Sequence, residues 1–454
     1  MKGGIDMDLE QLRQLQSALY EYVAQFDGCV KGNPNRQHLR TYLEGQLGSL
    51  PRKSVEPIAL EAGVPPRTLQ EFLAIHDWDE QKVARHHREL VRFNHGQGNA
   101  IAIIDETSFP KKGDKTPGVK RQYCGAMGKV DNCVVTVHLG YVAGDFHTLL
   151  DGELFLPEDW TADRERCRQA GIPEKVTHRP KWQIGLELLQ RSLDEGVQLK
   201  WLTADEEYGR VSDFRHALAQ KGLLYMMEIP RDLAGWLQRP KVEKAGTTTR
   251  SGHTLSQDRV APDQSEAQPV WKIWNNSHLP WQLYRIKDTE KGPCIWRVRQ
   301  TRFFPREEGL PGEKLRLIEA EEVLTGEVKY FLSNAPMKAP LKVLLAVGFS
   351  RWRIERLFQD GKQEVGLDHF EMRSYPGLMR HLILTMLSLY FLVEQAERLR
   401  GKKSVVDGLP GKGSCRSAIG PGDISPGAHT PPPKGGRQGR ILAKEQCQGC
   451  LVTR

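Results

Sequence analysis

The order of apolar and polar positions divides the chain into a helical first part and a longer part that alternates strands with helices. Apolar residues recur at helical spacing from Leu9 to Tyr22 and from Leu39 to Leu47, which predicts helices through about residue 95. Within this region, the segment from Ile58 to Leu73 has the small residue, the glycine turn and the apolar spacing of a helix-turn-helix. A helical hairpin that does not read DNA gives much the same string, so both interpretations stay open at this point.

The second part opens with the short apolar run from Ile101 to Ile104, which predicts a strand buried on both faces and ending in Asp105. Strand candidates over about 121–126 and 134–142 predict an antiparallel hairpin beside it. A helix over about 181–195 is followed by a strand over 200–204 that ends in Asp205, then by a helix over 211–220 and a strand over 223–229. This order predicts an α/β or α+β sheet covered by helices.

The composition changes twice in the remaining half of the chain. Residues from about 230 to 268 are rich in Thr, Ser, Gly and Lys, which predicts a loop or a disordered linker. Strand character returns over 270–328, and a closing strand over 329–332 precedes helices over about 341–364 and 377–399. After residue 400 the chain is rich in Gly, Pro, Ser and Lys, which predicts a disordered tail that is either a basic arm on DNA or the product of a shifted reading frame.

Composition and charge narrow the class of protein. The 454 residues are 39% hydrophobic and 27% charged, as in an ordinary globular protein of two or three domains. A net charge of +8 favours a polyanionic partner. The most apolar stretch, from Leu382 to Leu392, is shorter than the roughly 20 residues of a membrane span and is predicted to be a buried helix.

The cysteines are scattered and follow no secretory leader, so we expect reduced thiols in a cytosolic protein. Only Cys447 and Cys450 have a metal-like spacing. Because a structural zinc needs four ligands and no second pair lies nearby, the two are predicted to be ordinary tail thiols.

Three acidic residues carry the candidate chemistry. Asp105 and Asp205 each follow an apolar strand, where a rigid sheet can present a carboxylate to a cleft. At about 100° per residue, a helix places Arg351, Glu355 and Lys362 on one stripe. Arg351 and Glu355 on their own are explained by a weak surface ion pair. Together with the two aspartates, the stripe predicts three carboxylates that hold two Mg²⁺ ions beside two phosphate-binding cations.

Four sequence blocks resemble those of bacterial insertion-sequence transposases of the cut-and-paste DDE class. They are IDETSFPKKG (104–113), TADEEYG (203–209), YFLSNAP (330–336) and RWRIERLFQDGK (351–362). The resemblance implies an α/β fold: an RNase H-like mixed sheet with flanking helices, interrupted by a β-rich insertion after the second acid, plus an amino-terminal all-α domain.

The resemblance also implies roles for individual residues. Asp105, Asp205 and Glu355 match the catalytic triad, which would bind two Mg²⁺ ions, with Mn²⁺ as a substitute. Arg351 and Lys362 match the arginine and lysine of the YREK signature, for which phosphate contact is implied. The tyrosine of that signature corresponds here to Gly348.

Other candidates have weaker support. Lys111 and Lys112 precede a glycine and are predicted to contact the DNA backbone, with a solvated basic loop as the alternative. Trp296 is a candidate for stacking on a DNA base. The alternative is that at least half of the insertion tryptophans, Trp271, Trp274, Trp281 and Trp296, are core aromatics. Glu106 and Glu206 are expected to point away from the site, because side chains alternate along an extended chain.

These observations predict five regions: a helical DNA-binding domain (1–95), the first part of the catalytic core (96–229), a linker with the β-rich insertion (230–328), the last part of the core (329–400) and the tail (401–454). The predicted activity is a DNA transposase that cuts element ends and joins the freed 3′-hydroxyls to target DNA. Its predicted partners are terminal inverted repeats, target DNA and a second copy of the chain, with no membrane. The predicted location is the bacterial cytoplasm, at the nucleoid when DNA is bound. The alternatives are an RNase H-like nuclease without strand transfer and a DNA-binding transposase derivative that cannot cut.

Overall fold

The computed structural model describes residues 9–248, 254–289 and 292–406. The described residues up to Glu397 belong to one compact unit. The predicted tail from residue 407 onward, with Cys447 and Cys450, lies outside the described residues.

The first described residues are helical, as the apolar spacing predicts. The helices are α1 (Leu9–Ala24), α2 (Asn33–Leu47), α3 (Val55–Glu61), α4 (Pro66–Ala74) and α5 (Glu80–His95). The turn between α3 and α4 contains Gly63, whose φ of 68° lies in the left-handed region that favours glycine. The predicted helical hairpin is therefore present, and its function as a DNA reader stays a prediction.

A mixed sheet of thirteen strands, counted over the described residues, forms the rest of the framework. Its first strands are β1 (Ile101–Pro110), β2 (Lys120–Cys124), β3 (Lys129–Ala143), β4 (Phe146–Leu154), β5 (Trp201–Ala204) and β6 (Leu224–Ile229). β1, β3 and β4 are antiparallel, whereas β5 pairs in parallel with both β1 and β6. This is the mixed sheet expected of an RNase H-like core.

The insertion extends the same sheet. Its strands are β7 (Ala234–Trp236), β8 (Val242–Glu243), β9 (Arg259–Val260), β10 (Gln268–Pro269), β11 (Gln282–Thr289), β12 (Gly292–Glu307), β13 (Leu310–Pro311) and β14 (Leu315–Glu322), followed by the closing strand β15 (Val328–Ser333). β15 pairs antiparallel with β6 and so joins the insertion to the core. Only β8 and β9 form a separate small sheet in the described part of the chain.

Helices cover this sheet. They are α6 (Glu158–Ala162), α7 (Arg164–Gln169), α8 (Lys181–Asp194), α9 (Glu206–Gly209), α10 (Ser212–Gln220), α11 (Val270–Asn275), α12 (Leu341–Gly348), α13 (Trp352–Glu364) and α14 (Tyr375–Val406). A 3-10 turn, Phe349–Arg351, connects α12 to α13. At Gly185 in α8, an added Cβ would lie 2.8 Å from Ile104, so glycine lets this helix pack closely on β1.

The long last helix is buried, as predicted. Its stretch Tyr375–Leu399 is long and apolar enough to cross a membrane, yet 83% of its most apolar window is buried within the protein. Part of the cover comes from the amino-terminal helices. The Tyr42 hydroxyl lies 2.9 Å from His381, and Gln46 donates to Thr385 at 2.9 Å.

Two predictions about the elements are wrong, and some elements were missed. β1 does not end at Asp105 but continues to Pro110, because β3 pairs with it along its whole length. β4 and α11 were not predicted at all. The segment predicted as a loop or disordered linker contains the short strands β7 to β10 where the structure describes it.

Candidate active site

The two aspartates leave neighbouring parallel strands side by side. Ile104 of β1 pairs with Ala204 of β5, so Asp105 and Asp205 are the next residues on each chain. Asp105 is only 7% exposed, and its Oδ1 accepts from the Glu106 amide at 2.8 Å. Parallel pairing, and not the end of β1, is therefore what brings the two carboxylates together.

Asp205 is also held by main-chain groups. It is the N-cap of α9, and its Oδ1 accepts from the amides of Glu207 at 3.0 Å and Tyr208 at 3.4 Å. Capping satisfies amide groups that have no partner inside the helix. One oxygen of the Asp205 carboxylate is thus fixed in place by the main chain of α9.

Glu355, the third acid, is connected to Asp105 through Arg351. Arg351 donates from Nη1 to Asp105 Oδ2 at 2.9 Å and from Nη2 to Glu355 Oε1 at 2.7 Å. One guanidinium therefore bridges the strand acid and the helix acid. The Glu355 side chain is 55% exposed, so it lies at the open side of this cluster.

Burial makes the two aspartates poor anions. Burial raises the pKa of Asp105 to about 8, with Arg351 opposing the change and the nearby Asp205 contributing to it. Burial also raises the pKa of Asp205 to about 6, with a contribution from Glu106. A cation bound between these carboxylates would stabilise their charged form and so lower both pKa values.

The donor set suits a hard divalent cation. Asp105, Asp205 and Glu355 offer carboxylate oxygens, the ligands that Mg²⁺ prefers. With Arg351 between the acids, no group of three His, Cys, Asp or Glu in the described residues is close enough to hold one ion. A metal ion bound by all three acids therefore requires the guanidinium to move from its present position.

The predicted basic residues differ in how accessible they are. The Lys362 ammonium lies 3.3 Å from the Ser108 carbonyl, and burial lowers its pKa. Lys111 donates to the Phe370 carbonyl at 2.6 Å and lies over the Phe370 ring, so its ammonium is directed into the protein. Lys112 is exposed.

Trp296, predicted to stack on a DNA base, is buried in this structure, which favours its alternative role as a core aromatic. Its ring is only 4% exposed and lies 4.7 Å from the Phe349 ring, inside the apolar cluster between the insertion sheet and α12. Trp274 is 1% exposed. Burial of these two residues supports the alternative that at least half of the insertion tryptophans are core aromatics.

Gly348 stands where the signature has a tyrosine. An added Cβ there would lie 3.1 Å from two side-chain atoms of Met226, so the position is filled from the β6 side. Close packing between α12 and β6 explains why this chain has glycine at the position.

Sequence reasoning missed Glu106. Its carboxylate accepts from Tyr208 and from Lys181, and it is near enough to raise the pKa of Asp205. Because side chains alternate along a strand, Glu106 was expected to point away from the site. The tyrosine in the TADEEYG block was the available signal for a buried hydrogen-bond partner.

Comparison with known proteins agrees with this geometry. The family model described as DDE superfamily endonuclease matches residues 25–293, more than half of the chain and including both aspartates. Over 343 residues, 74% of this chain and 76% of the relative, the sequence is 28% identical to the "Probable transposase for insertion sequence element IS701" of Microchaete diplosiphon. The DDE family predicted from the sequence is confirmed: the chain belongs to the DDE superfamily endonucleases and is similar to an insertion-sequence transposase.

Proposed function

We propose that this protein is a transposase, which cuts the ends of its element and joins the freed 3′-hydroxyls to target DNA at a site formed by Asp105, Asp205 and Glu355. The observation that carries the proposal is that Arg351 binds both Asp105 and Glu355, while the register of β1 and β5 places Asp205 beside Asp105. Bound Mg²⁺ ions, or Mn²⁺ in their place, would activate the attacking hydroxyl and stabilise the departing oxygen.

The chain's own side chains would supply the rest of the chemistry. Arg351 carries a planar fork of donors, which suits a phosphate once the guanidinium leaves Asp105. Lys362 lies on the same helix as Glu355 and would bind a neighbouring phosphate as a point charge. Lys112, which is exposed, would contact the DNA backbone.

The proposal extends to partners and location. The helices of residues 1–95 would bind the terminal inverted repeats, and 96–229 with 329–400 would form the catalytic core around the 230–328 insertion. A synapsed homodimer would hold the two element ends in the bacterial cytoplasm, at the nucleoid. The positive net charge of +8 supports a polyanionic partner.

Strand transfer can be tested with purified protein, precut element ends and a supercoiled target plasmid. We expect end joining in Mg²⁺ or Mn²⁺ and none in EDTA, with Asp105→Ala inactive but still bound to end DNA. Cleavage of uncut ends without any joining would instead support the nuclease alternative. Binding without cleavage in either metal would support the inactive derivative.

A matched pair of substitutions tests the role of Glu355. Both Arg351–Glu355 and Arg356–Asp360 are i, i+4 ion pairs at the start of and within α13. If Glu355 is a metal ligand, Glu355→Gln should reduce joining to background, while Asp360→Asn leaves it unchanged. Equal activity of the two variants would show that Glu355 forms only a surface ion pair.

A further inference from the structure

Tyr208 and Glu106 form a hydrogen-bonded pair next to the two aspartates. The Tyr208 hydroxyl donates to Glu106 Oε2 at 2.8 Å, and the Lys181 ammonium of α8 binds the other Glu106 oxygen. The Tyr208 side chain is 1% exposed. A buried hydroxyl with a carboxylate partner forms a stronger hydrogen bond than two neutral groups would.

This pair connects the two elements that carry the aspartates. Glu106 follows Asp105 on β1, and the amide of Tyr208 caps Asp205 at the start of α9. Tyr208 therefore contacts both acids: its main-chain amide donates to Asp205, and its hydroxyl donates to Glu106. Outside the strand pairing itself, this gives β1 a side-chain link to the short helix that orients Asp205.

The side of α9 that faces away from Glu106 is in close contact with β6. At Gly209, an added Cβ would lie 1.9 Å from the Glu228 carbonyl oxygen of β6. The helix is thus held between β6 and the Glu106 carboxylate. A four-residue helix has few internal hydrogen bonds, so these outside contacts determine its position.

From this geometry we infer that Glu106 and Tyr208 are positioning residues, which set the spacing of Asp105 and Asp205 for divalent cations without binding the cations themselves. The inference rests on the proposed metal site. Partners that orient metal ligands typically contribute about 10- to 100-fold to metal affinity.

The test measures Mn²⁺ binding by calorimetry on the full chain without DNA, alongside joining assays over a range of Mg²⁺ concentrations. Tyr208→Phe removes only the hydroxyl, and we expect Mn²⁺ binding to weaken about 10-fold. The Mg²⁺ concentration for half-maximal joining should rise by a similar factor, while the rate at saturating Mg²⁺ stays near that of wild type. Tyr42→Phe is the matched control, because it removes another buried hydroxyl that binds His381 in the helical region.

Two Glu106 variants separate positioning from direct ligation. Glu106→Gln keeps an acceptor for the Tyr208 hydroxyl and should bind Mn²⁺ nearly as wild type does, whereas Glu106→Ala should resemble Tyr208→Phe. Equal losses in both Glu106 variants would make Glu106 a ligand and overturn the inference. So would wild-type affinity in Tyr208→Phe, or an equal loss in Tyr42→Phe.

The proposed metal site and the positioning role of Glu106 and Tyr208 can be tested separately. If wild type binds Mn²⁺ in a way that Asp105→Asn abolishes, the metal site stands whatever Tyr208→Phe does. If wild type shows no Mn²⁺ binding that depends on Asp105, the proposed site and the inference both fall.

Discussion

At the scale of single residues, the candidate site combines features that oppose stability. Asp105 is almost fully buried next to a second carboxylate, and one arginine offsets only part of the charge. Burying an ionised carboxylate is costly unless it is fully paired. A bound cation would supply the positive charge that this arrangement lacks.

Asp105→Asn tests this interpretation through stability. Because the folded chain raises the pKa of Asp105 to about 8, folded protein keeps a proton that unfolded protein has lost at neutral pH. The contribution of Asp105 to wild-type stability should therefore fall as pH rises from about 4 to 8, by up to about 1.4 kcal/mol per pH unit. Asparagine has no proton to lose and still accepts from Arg351.

The measurement is denaturant unfolding of metal-free protein at pH 5 and pH 8. We expect Asp105→Asn to exceed wild type in free energy of unfolding, with the larger excess at pH 8, and to be inactive in joining. A variant less stable than wild type at pH 8 would mean that Arg351 already balances the carboxylate.

The proximity of Asp105 and Asp205 could be predicted from the sequence, and the burial of Trp296 could not. Asp105 and Asp205 follow short apolar runs, and a parallel sheet places such positions at one edge. Trp296 sits in a strand whose two faces alternate, and nothing in its local pattern tells which face meets α12. Glu106 was misjudged because alternation predicts direction and not the reach of a long side chain toward Tyr208.

At the scale of elements, the site depends on how closely α9 approaches β6. Gly209 has no side chain at the one point where a Cβ would lie 1.9 Å from a main-chain oxygen. The obstacle is the Glu228 carbonyl, which cannot rotate away as a flexible side chain would. The position of α9, and with it that of Asp205, therefore requires glycine here.

Gly209→Ala should accordingly destabilise the protein by about 1–3 kcal/mol, as overpacked substitutions do, and reduce joining by displacing Asp205. Gly28→Ala is the control, since no atom lies within 4 Å of its added Cβ. Thermal unfolding and joining assays of both variants provide the measurement. Normal activity in Gly209→Ala would show that α9 can shift without affecting the site.

Elements with a clear period were predicted well. The helix over about 181–195 is α8, and the strand over 200–204 is β5. β4 was missed because almost all of its residues are buried, which removes the alternation that marks a strand with one solvated face. The six-residue helix α11 is too short to show a helical period.

At the scale of the whole molecule, the amino-terminal helices share a core with the last helix. Gln46 of α2 donates to Thr385 and accepts from Ser388, and Tyr22 of α1 donates to the Leu387 carbonyl. Lys53, which precedes α3, donates to the main-chain carbonyls of Gln46 and Gly48. The region 1–95 stays a predicted DNA-binding domain, but its fold depends on contacts with α14.

This shared core makes the protein sensitive to acid. His381 of α14 lies fully buried against Tyr42 of α2, and burial lowers its pKa from 6.5 to about 4. Unfolded protein therefore binds a proton at this residue below pH 6.5, while folded protein does not until about pH 4. The contribution of His381 to stability is complete above pH 6.5 and is lost as pH falls toward 4, by about 2 kcal/mol at pH 5.

His381→Gln should flatten that dependence, even if it lowers stability at pH 7 by disturbing the contact with Tyr42. The measurement is the change in free energy of unfolding from pH 7 to pH 5, which should be about 2 kcal/mol more favourable to the folded state in the variant than in wild type. His278→Gln serves as the control, because His278 is exposed to solvent in the folded chain. If the difference is the same in His381→Gln and wild type, acid acts elsewhere, and the junction between α2 and α14 does not limit the stability of the molecule.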